Sequence, residues 1–217
     1  MPKVSVIIPC FNSDKFLERA LRSCFDQMFE KNDIEIIVIN DGSSDNTHFI
    51  SQQFYDSITY INNIENLGLP YSLNVGIRMS KSQFVIRLDS DDYFHNDALK
   101  ILILYLESNP ECMAVACDYL LVDALGRVEK RVNCEEQPIG CGVMFRKDAL
   151  AEVGLYNEEF FMAEEVDLKL RFEAHGWTFN RLPIDLYRYR KHDNNMTNDV
   201  EKYQSYINSA KSKQQGR

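Results

Sequence analysis

The acidic run Asp89-Ser90-Asp91-Asp92 has the clearest chemical potential in this sequence. It directly follows an apolar stretch that ends at Leu88, so Asp89 and Asp91 can project to the same side of an extended chain. A few carboxylates suit Mg²⁺ or Mn²⁺, which complete their coordination with water and substrate phosphates. Such a cation neutralises the charge that builds up on a departing diphosphate. A solvated helix N-cap is the competing interpretation, but the buried strand in front favours a metal site.

Two other strand ends carry residues suited to a nucleotide. Asp41 follows an apolar run and can accept a hydrogen bond from a base or ribose, while Gly42 permits a tight turn; a capped helix start explains the same pattern. Pro9 and Phe11 lie at the end of the first apolar run, where an aromatic face can stack on a base. Further along, Asn66-Leu67-Gly68 and Asn74 offer small polar groups to a diphosphate or a sugar.

The C-terminal half contributes a second acidic group and a histidine. Glu164-Glu165-Val166-Asp167 opens an amphipathic helix, where acids are favoured by the helix dipole but can also supply a carboxylate base. His192 follows the basic, aromatic segment Tyr187-Arg188-Tyr189-Arg190-Lys191, which is a plausible phosphate contact in an acidic protein. His192 is therefore a candidate metal ligand or diphosphate donor, against the alternative of a structural histidine.

These residues depend on alternating strands and helices for their position. Short β-branched runs predict strands, and apolar residues at helical spacing predict the helices between them. The predicted strands are Val4–Ile8, Ile34–Ile39, Ile58–Ile61 and Gln83–Leu88, and the predicted helices are Asp14–Phe29, Ser44–Phe54 and Tyr71–Met79. Near-continuous apolar strands are typical of parallel sheets covered on both faces, and ligands bind such sheets at the carboxyl ends of the strands.

Beyond Asn96 the pattern changes. A helix (Ala98–Glu107), a strand (Met113–Val122), a hairpin-like stretch near residues 123–126 and a helix from about Glu164 to His175 are predicted there. Ser13 or Asp14 is expected to cap the first helix of the chain.

Composition limits the classes of function. The 217 residues fit one domain, and the net charge of −9 argues against a broad nucleic-acid surface. The six cysteines lack paired metal or disulfide spacing, which favours free buried thiols in a reducing cytosol. Neither a signal peptide nor a spanning helix is expected, so the predicted location is cytoplasmic, with at most peripheral contact at the inner face of a membrane.

Taken together, the motifs resemble the inverting family-2 glycosyltransferases with the GT-A fold, in the family's order from Val4 to Thr197. The matching segments are Val4 to Asn12, Asn40 to Asp45, Asn66 to Gly68, Leu88 to Asp92, Glu164 to Leu168, and Tyr189 to His192.

The resemblance implies a fold and a division of the chain. The fold is a single α/β domain over residues 1–197 with a Rossmann-like, mostly parallel central sheet flanked by helices and a smaller acceptor-side region. Residues 1–95 form its nucleotide-binding half, residues 96–197, including Gly140 to Phe161, its acceptor and catalytic half, and residues 198–217 a polar, partly ordered tail.

The resemblance also implies residue roles. Pro9, Phe11 and Asp41 frame the base, usually uracil, and Asp89 faces the ribose or sugar. Asp91 holds Mn²⁺ or Mg²⁺ with His192 close by, and Glu165 is the base, with Glu164 and Asp167 as substitutes. The remaining donor-site positions implied by the matching motifs are Asn12, Asn66, Gly68, Asn74 and Ser90.

Two positions depart from the family's pattern. Glu165 stands where an aspartate is more usual, and Leu73 stands where many relatives have an arginine. The expected reaction is attack of an acceptor hydroxyl on a UDP-sugar with inversion, in surface polysaccharide or glycolipid assembly, with a glycan or lipid-linked acceptor. The alternatives are a sugar nucleotidyltransferase, which should carry a Gly-rich basic loop near Pro9, and a non-catalytic module that binds a nucleotide or glycan.

Overall fold

The computed structural model describes residues 1–28, 33–160, 162–193, 195 and 198–215. Phe29, Phe161 and Thr197, which mark three of the predicted boundaries, lie outside these residues. The described strands are β1 (Val4–Cys10), β2 (Ile34–Asp41), β3 (Thr59–Asn63), β4 (Phe84–Arg87), β5 (Tyr93–Phe94), β6 (Ala114–Val122), β7 (Val128–Val132), β8 (Val143–Arg146) and β9 (Phe179–Arg190). The described α-helices are α1 (Leu17–Phe25), α2 (Thr47–Gln52), α3 (Leu69–Met79), α4 (Ala98–Ser108), α5 (Lys147–Glu152), α6 (Glu164–Ala174) and α7 (Val200–Gln215).

The strands form one mixed sheet. Its order is β3-β2-β1-β4-β8-β6-β9-β5, with β7 paired to β6. The first four strands of this order are parallel, as predicted, whereas β8 runs antiparallel to both β4 and β6. All carboxyl ends of the parallel part therefore meet at one edge, and the second half of the chain closes against it.

Strands β1, β2 and β4 of the parallel part are largely buried, which explains their mostly apolar sequences. Val6 and Ile8 of β1 pack into one core with α1 and α4, while Ile7 packs into a second core with α3 and α6. All six cysteines are free and buried, as the sequence predicts.

The first two helices are shorter than predicted, and backbone N–H groups of the loop before α1 bond to side chains at or just before the start of α2. Asp14 N–H donates to Asp45 Oδ2 (3.0 Å), and Ser13 N–H donates to Thr47 Oγ1 (2.8 Å). Neither Ser13 nor Asp14 caps α1, which has no side-chain cap. Asp45 Oδ1 accepts from the N–H of Thr47 (2.9 Å), the first residue of α2, whose N-cap position is Asn46.

The second half contains elements that the sequence patterns did not predict. The 12-residue strand β9 is the most important, because it pairs in parallel with β6 and brings the segment before His192 back to the β4 end. Helix α7 occupies the segment that was predicted to be a partly ordered tail. None of the described helices combines the length and the apolar character needed to cross a membrane.

Candidate active site

The structure brings Asp91 and His192 together. Asp91 follows β4, His192 follows β9, and His192 Nε2 lies 2.8 Å from Asp91 Oδ2 although the residues are 101 positions apart. Asn195 Nδ2 lies 3.4 Å from the same oxygen. The Asp91 side chain is 27% exposed and that of His192 is 15% exposed, so the pair is sheltered yet open to a ligand.

The donor set of this pair fits a divalent first-row metal ion. A carboxylate oxygen suits Mg²⁺ and Mn²⁺ alike, whereas an imidazole nitrogen is a ligand preferred by transition metals. Adjacent ligand atoms around an octahedral ion with bonds of about 2.1 Å lie roughly 3 Å apart, which is compatible with the observed pair. Asp91 and His192 therefore suit Mn²⁺ better than Mg²⁺.

A second acidic cluster lies beside this pair but is less suited to a metal. Ligand atoms of Asp89, Asp92 and Cys141 lie within 4.8 Å of one another. Asp92 already accepts hydrogen bonds from Tyr187 Oη (2.7 Å) and Arg190 N–H (2.7 Å). Burial, followed by the charges of Asp89 and Asp92, raises the pKa of the Cys141 thiol, and a protonated thiol is a poor metal ligand. We therefore regard this cluster as a structural support of residues 89–92, which we call the acidic loop.

Arg87, at the end of β4, connects Asp89 to Glu164 at the start of α6. Its Nη2 donates to Asp89 Oδ2 (2.9 Å) and its Nη1 donates to Glu164 Oε1 (2.6 Å). Burial disfavours the charge of Arg87, but Asp89 and Glu164 outweigh it and raise the pKa of the guanidinium above its ordinary value. The patterns in the sequence did not single out Arg87; a lone arginine in an apolar strand next to an acidic motif was the available signal.

The three acids at the start of α6 have different surroundings. Burial raises the pKa of Glu164 to about 7, with the Glu165 charge adding to it and Arg87 opposing it. Glu165 is half-buried, and its Oε1 accepts a hydrogen bond from Tyr203 Oη at 2.6 Å. Asp167 is buried and paired with Arg171 Nη2 at 2.7 Å, within the same helix. Of the three, only Glu165 is both partly exposed and free of a cationic partner among the described residues.

The predicted nucleotide residues lie along the ends of β1 and β2. Phe11 is 48% exposed and available for stacking, whereas Pro9 is buried in β1. Asn12 connects the loop after β1 to the loop after β2, because its Oδ1 accepts a hydrogen bond from Ser44 N–H at 2.9 Å. Asp41 is buried, and its Oδ2 accepts from Gly68 N–H at 2.8 Å.

Asp41 therefore also organises the loop between β3 and α3. Its Oδ1 accepts from Leu67 N–H (3.0 Å) and Asn63 Nδ2 (2.8 Å), and Asn66 Oδ1 accepts from Gly68 N–H (3.1 Å). Gly42 has a φ of +71°, as the tight turn requires, and the start of the next loop packs against it. Asn66 itself remains exposed at the rim.

Two predicted donor-site residues are occupied by structural contacts. Asn74 is buried, and its amide binds the Tyr156 backbone and Glu158 Oε1 (2.8 Å), so the structure does not bring it to the Asp91–His192 pair. Ser90 Oγ shares a hydrogen bond with Ser13 Oγ (2.7 Å) beneath the acidic loop. Leu73 is buried in the core, where it replaces a family arginine with an apolar contact.

In the basic segment before His192, which is predicted to contact phosphate, Arg190 is held by groups of the protein itself. Arg190 is buried and donates to the carbonyl oxygens of Asp91 and Ala124 (both 2.8 Å), with its guanidinium over the Phe16 ring. These hydrogen bonds stabilise the acidic loop and leave the guanidinium few N–H groups for a phosphate. Lys191 remains exposed, and its Nζ lies 4.0 Å from Glu129 Oε2.

The fold is that of the GT-A glycosyltransferases. The structure of Staphylococcus aureus TarS 1–349 in complex with UDP-GlcNAc superposes with a TM-score of 0.80 and 20% identity, over 96% of this chain and 65% of that one. The mannosyltransferase PcManGT from Pyrobaculum calidifontis, in complex with GDP-Man and Mn²⁺, gives a TM-score of 0.80 and 17% identity, over 98% of this chain and 64% of that one. Identities this low establish the likeness of the fold alone.

The family follows from the sequence comparison. The model of glycosyl transferase family 2 matches residues 5–131, which is more than half of the chain, and the chain belongs to this family. An uncharacterized glycosyltransferase of Rickettsia typhi is 28% identical over 94% of this chain and 70% of its own length. The poly(ribitol-phosphate) β-N-acetylglucosaminyltransferase TarP of Staphylococcus aureus is 37% identical over 112 residues, half of this chain and 34% of TarP. The chain thus spans only part of each of these relatives.

Proposed function

We propose that this chain is a metal-dependent, inverting glycosyltransferase domain that transfers a sugar from a UDP-sugar to a hydroxyl of a glycan or lipid-linked acceptor. The observation that carries the proposal is the approach of His192 Nε2 to Asp91 Oδ2 (2.8 Å) at the carboxyl end of β4. A pair of metal-ligating groups at this edge of an α/β sheet is suited to hold the diphosphate of a donor.

The donor lies along the ends of β1, β2 and β4. Phe11 stacks on the base, and Asp41, held by Gly68 N–H, presents its carboxylate to the base or ribose. Asp89, clamped by Arg87, faces the ribose or sugar. The relatives whose structures contain UDP-GlcNAc or GDP-Man support a nucleotide-sugar donor.

Asp91 and His192 would hold the metal ion. When bound, the ion neutralises charge on the departing nucleoside diphosphate. The two side chains hold their positions through the protein itself, since Arg190 donates to the Asp91 carbonyl and Asn195 Oδ1 accepts from His192 N–H at 2.6 Å.

Glu165 is the base. Its carboxylate takes the proton of the acceptor hydroxyl while that oxygen forms a bond to the anomeric carbon, on the face opposite the diphosphate. The bond from the anomeric carbon to the diphosphate oxygen breaks, its electron pair leaves with the nucleotide, and the configuration inverts. Glu164 and Asp167 are poorer candidates because each is buried and already paired with an arginine, at 2.6 Å from Arg87 and 2.7 Å from Arg171.

Donor binding is tested by thermal shift with UDP, GDP, TDP and CMP, each with Mn²⁺, Mg²⁺ or EDTA. We expect UDP with Mn²⁺ to raise the melting temperature, and the rise to disappear in Asp91→Asn and His192→Ala. Asp97→Asn is the matched control, since Asp97 is an acid near the end of β5 whose carboxylate lies 3.6 Å from His95 Nδ1 and which has no part in the proposed site. The proposed site is contradicted if none of the nucleotides raises the melting temperature, or if the rise persists in Asp91→Asn.

Turnover is tested by release of UDP from UDP-GlcNAc, UDP-glucose and UDP-galactose with Mn²⁺, with water as the acceptor. Glu165→Gln is expected to lower the rate at least about a hundredfold, as for the loss of a general base, and to leave the UDP-induced thermal shift intact. Glu173→Gln, an exposed acid on the same helix, is the control. Binding without turnover in the wild type would favour a non-catalytic nucleotide-binding module, and full activity in Glu165→Gln would refute the assignment of the base.

A further inference from the structure

The C-terminal helix makes one contact with the acidic end of α6 that the proposed mechanism does not use. Tyr203, on the first turn of α7, donates its phenol hydrogen to Glu165 Oε1 at 2.6 Å. Burial, followed by the nearby Glu165 charge, raises the pKa of Tyr203 above its ordinary value, so the phenol keeps its proton to donate. The bond joins residues 38 positions apart and is half-sheltered from water.

A hydrogen bond at this place changes how a glutamate can act. A glutamate side chain has three rotatable bonds, and its free rotation must be lost before the carboxylate can accept a proton from a substrate. Tyr203 is the hydrogen-bond partner that the described residues provide to Glu165, and it engages only Oε1. Oε2 is left with its lone pairs for an acceptor hydroxyl.

The stem of the Glu165 side chain packs closely against the loop before β8. A Cβ added at Gly140 would lie 3.2 Å from Glu165 Cβ, so the loop before β8 packs directly against the base. The other titratable groups that face Glu165 come from α6, from β9 and from two loops: Glu164, Lys169, Arg181, Glu135 and Tyr156. Among the described residues, none of these groups donates a hydrogen bond to the Glu165 carboxylate. Tyr203 is therefore the residue that can orient this carboxylate.

We propose that Tyr203 is a positioning residue that orients the carboxylate of the catalytic base. Helix α7 thereby contributes to the active site. This inference rests on the proposed function, because it requires Glu165 to be the base. It also accounts for a glutamate at a position where aspartate is more usual. The longer side chain reaches the phenol on α7, which anchors one oxygen and directs the other.

The test uses the 217-residue chain and UDP release from UDP-GlcNAc with Mn²⁺, with water as the acceptor. Tyr203→Phe removes only the phenol oxygen and is expected to lower kcat about tenfold with little change in the KM for the donor, as for one hydrogen bond to a charged group. Tyr206→Phe is the matched control, since Tyr206 lies on the same helix and has no recorded hydrogen bond among the described residues.

A double-mutant cycle separates positioning from a merely structural role. Glu165→Asp shortens the side chain and withdraws it from the phenol, so adding Tyr203→Phe to Glu165→Asp should cause almost no further loss of kcat. If the two losses multiply, Tyr203 does not act through Glu165 and the inference is wrong. Unchanged or increased kcat in Tyr203→Phe alone also overturns it, the latter by showing that the contact blocks the base.

Failure of the proposed function and failure of the role of Tyr203 give different results in these assays. If Glu165→Gln keeps full turnover, or the wild type releases no UDP from any of the donors tested, the proposed function fails and the role of Tyr203 fails with it. If Glu165→Gln is inactive while Tyr203→Phe matches Tyr206→Phe, only the role of Tyr203 fails.

Discussion

The buried carboxyl of Glu164 should make the stability of the protein depend on pH. Its pKa is raised from 4.5 to about 7, chiefly by burial, with Arg87 2.6 Å away only partly offsetting that effect. A carboxyl whose pKa is raised in the folded state binds its proton more tightly there than in the unfolded chain. It therefore contributes stability that is fully present below pH 4.5 and is lost as the pH rises through about 7.

The magnitude follows from the width of this interval. One pH unit corresponds to about 1.36 kcal/mol, so the interval from 4.5 to about 7 amounts to at most about 3 kcal/mol in the free energy of unfolding. Glu164→Gln keeps an acceptor oxygen for Arg87 but has no charge to lose. The difference in stability between wild type and Glu164→Gln should therefore shift against the wild type by up to about 3 kcal/mol as the pH rises.

Urea denaturation at a series of pH values from about 5 to about 8 measures this difference. Glu173→Gln provides the control, because it makes the same substitution at an exposed position of α6 and should follow the wild type at every pH. A wild type and a Glu164→Gln variant whose stabilities remain parallel over this range would refute the reasoning. The reasoning would also be refuted if the wild type became more stable relative to Glu164→Gln as the pH rises. That trend is expected for a carboxyl that ionises more readily in the folded state than in the unfolded chain.

Three further substitutions test the supports of the site by urea denaturation, together with UDP release for the first and the UDP-induced thermal shift for the last. Gly140→Ala places a Cβ 2.9 Å from Arg87 Nη1, and displacing this doubly paired side chain should cost about 1–3 kcal/mol and reduce UDP release; wild-type values for both would contradict the crowding. Gly42→Ala should cost at least about 2 kcal/mol, because φ is +71° and the new Cβ would lie 2.5 Å from the backbone of Glu65; a neutral change would show that the turn can adapt. Asn74→Ala should destabilise the protein by about 1–3 kcal/mol but leave the thermal shift with UDP intact, and a lost shift would place Asn74 in the donor site after all.

Several parts of the fold could be predicted because they depend on local patterns. The β-branched run Val4–Ile8 predicts a buried strand, and the structure extends it to β1 (Val4–Cys10) and buries every residue of that strand. The position of Asp91 just beyond such a strand predicts its place at the ligand-binding edge, because strand direction in a parallel sheet brings those ends together. Strand β9 was harder to predict, since Pro183 and Asp185 interrupt its apolar pattern and its pairing with β6 contains register shifts.

What the sequence by itself determined is the alternation of strands and helices, the free cysteines and the acidic motif at a strand end, all of which arise from neighbouring residues. Only the tertiary structure decided which partners those residues meet. The contacts of Asp91 with His192, of Arg87 with Glu164 and of Glu165 with Tyr203 join positions 101, 77 and 38 residues apart. Such contacts depend on how β4, α6, β9 and α7 pack against one another, and no spacing along the chain encodes that packing.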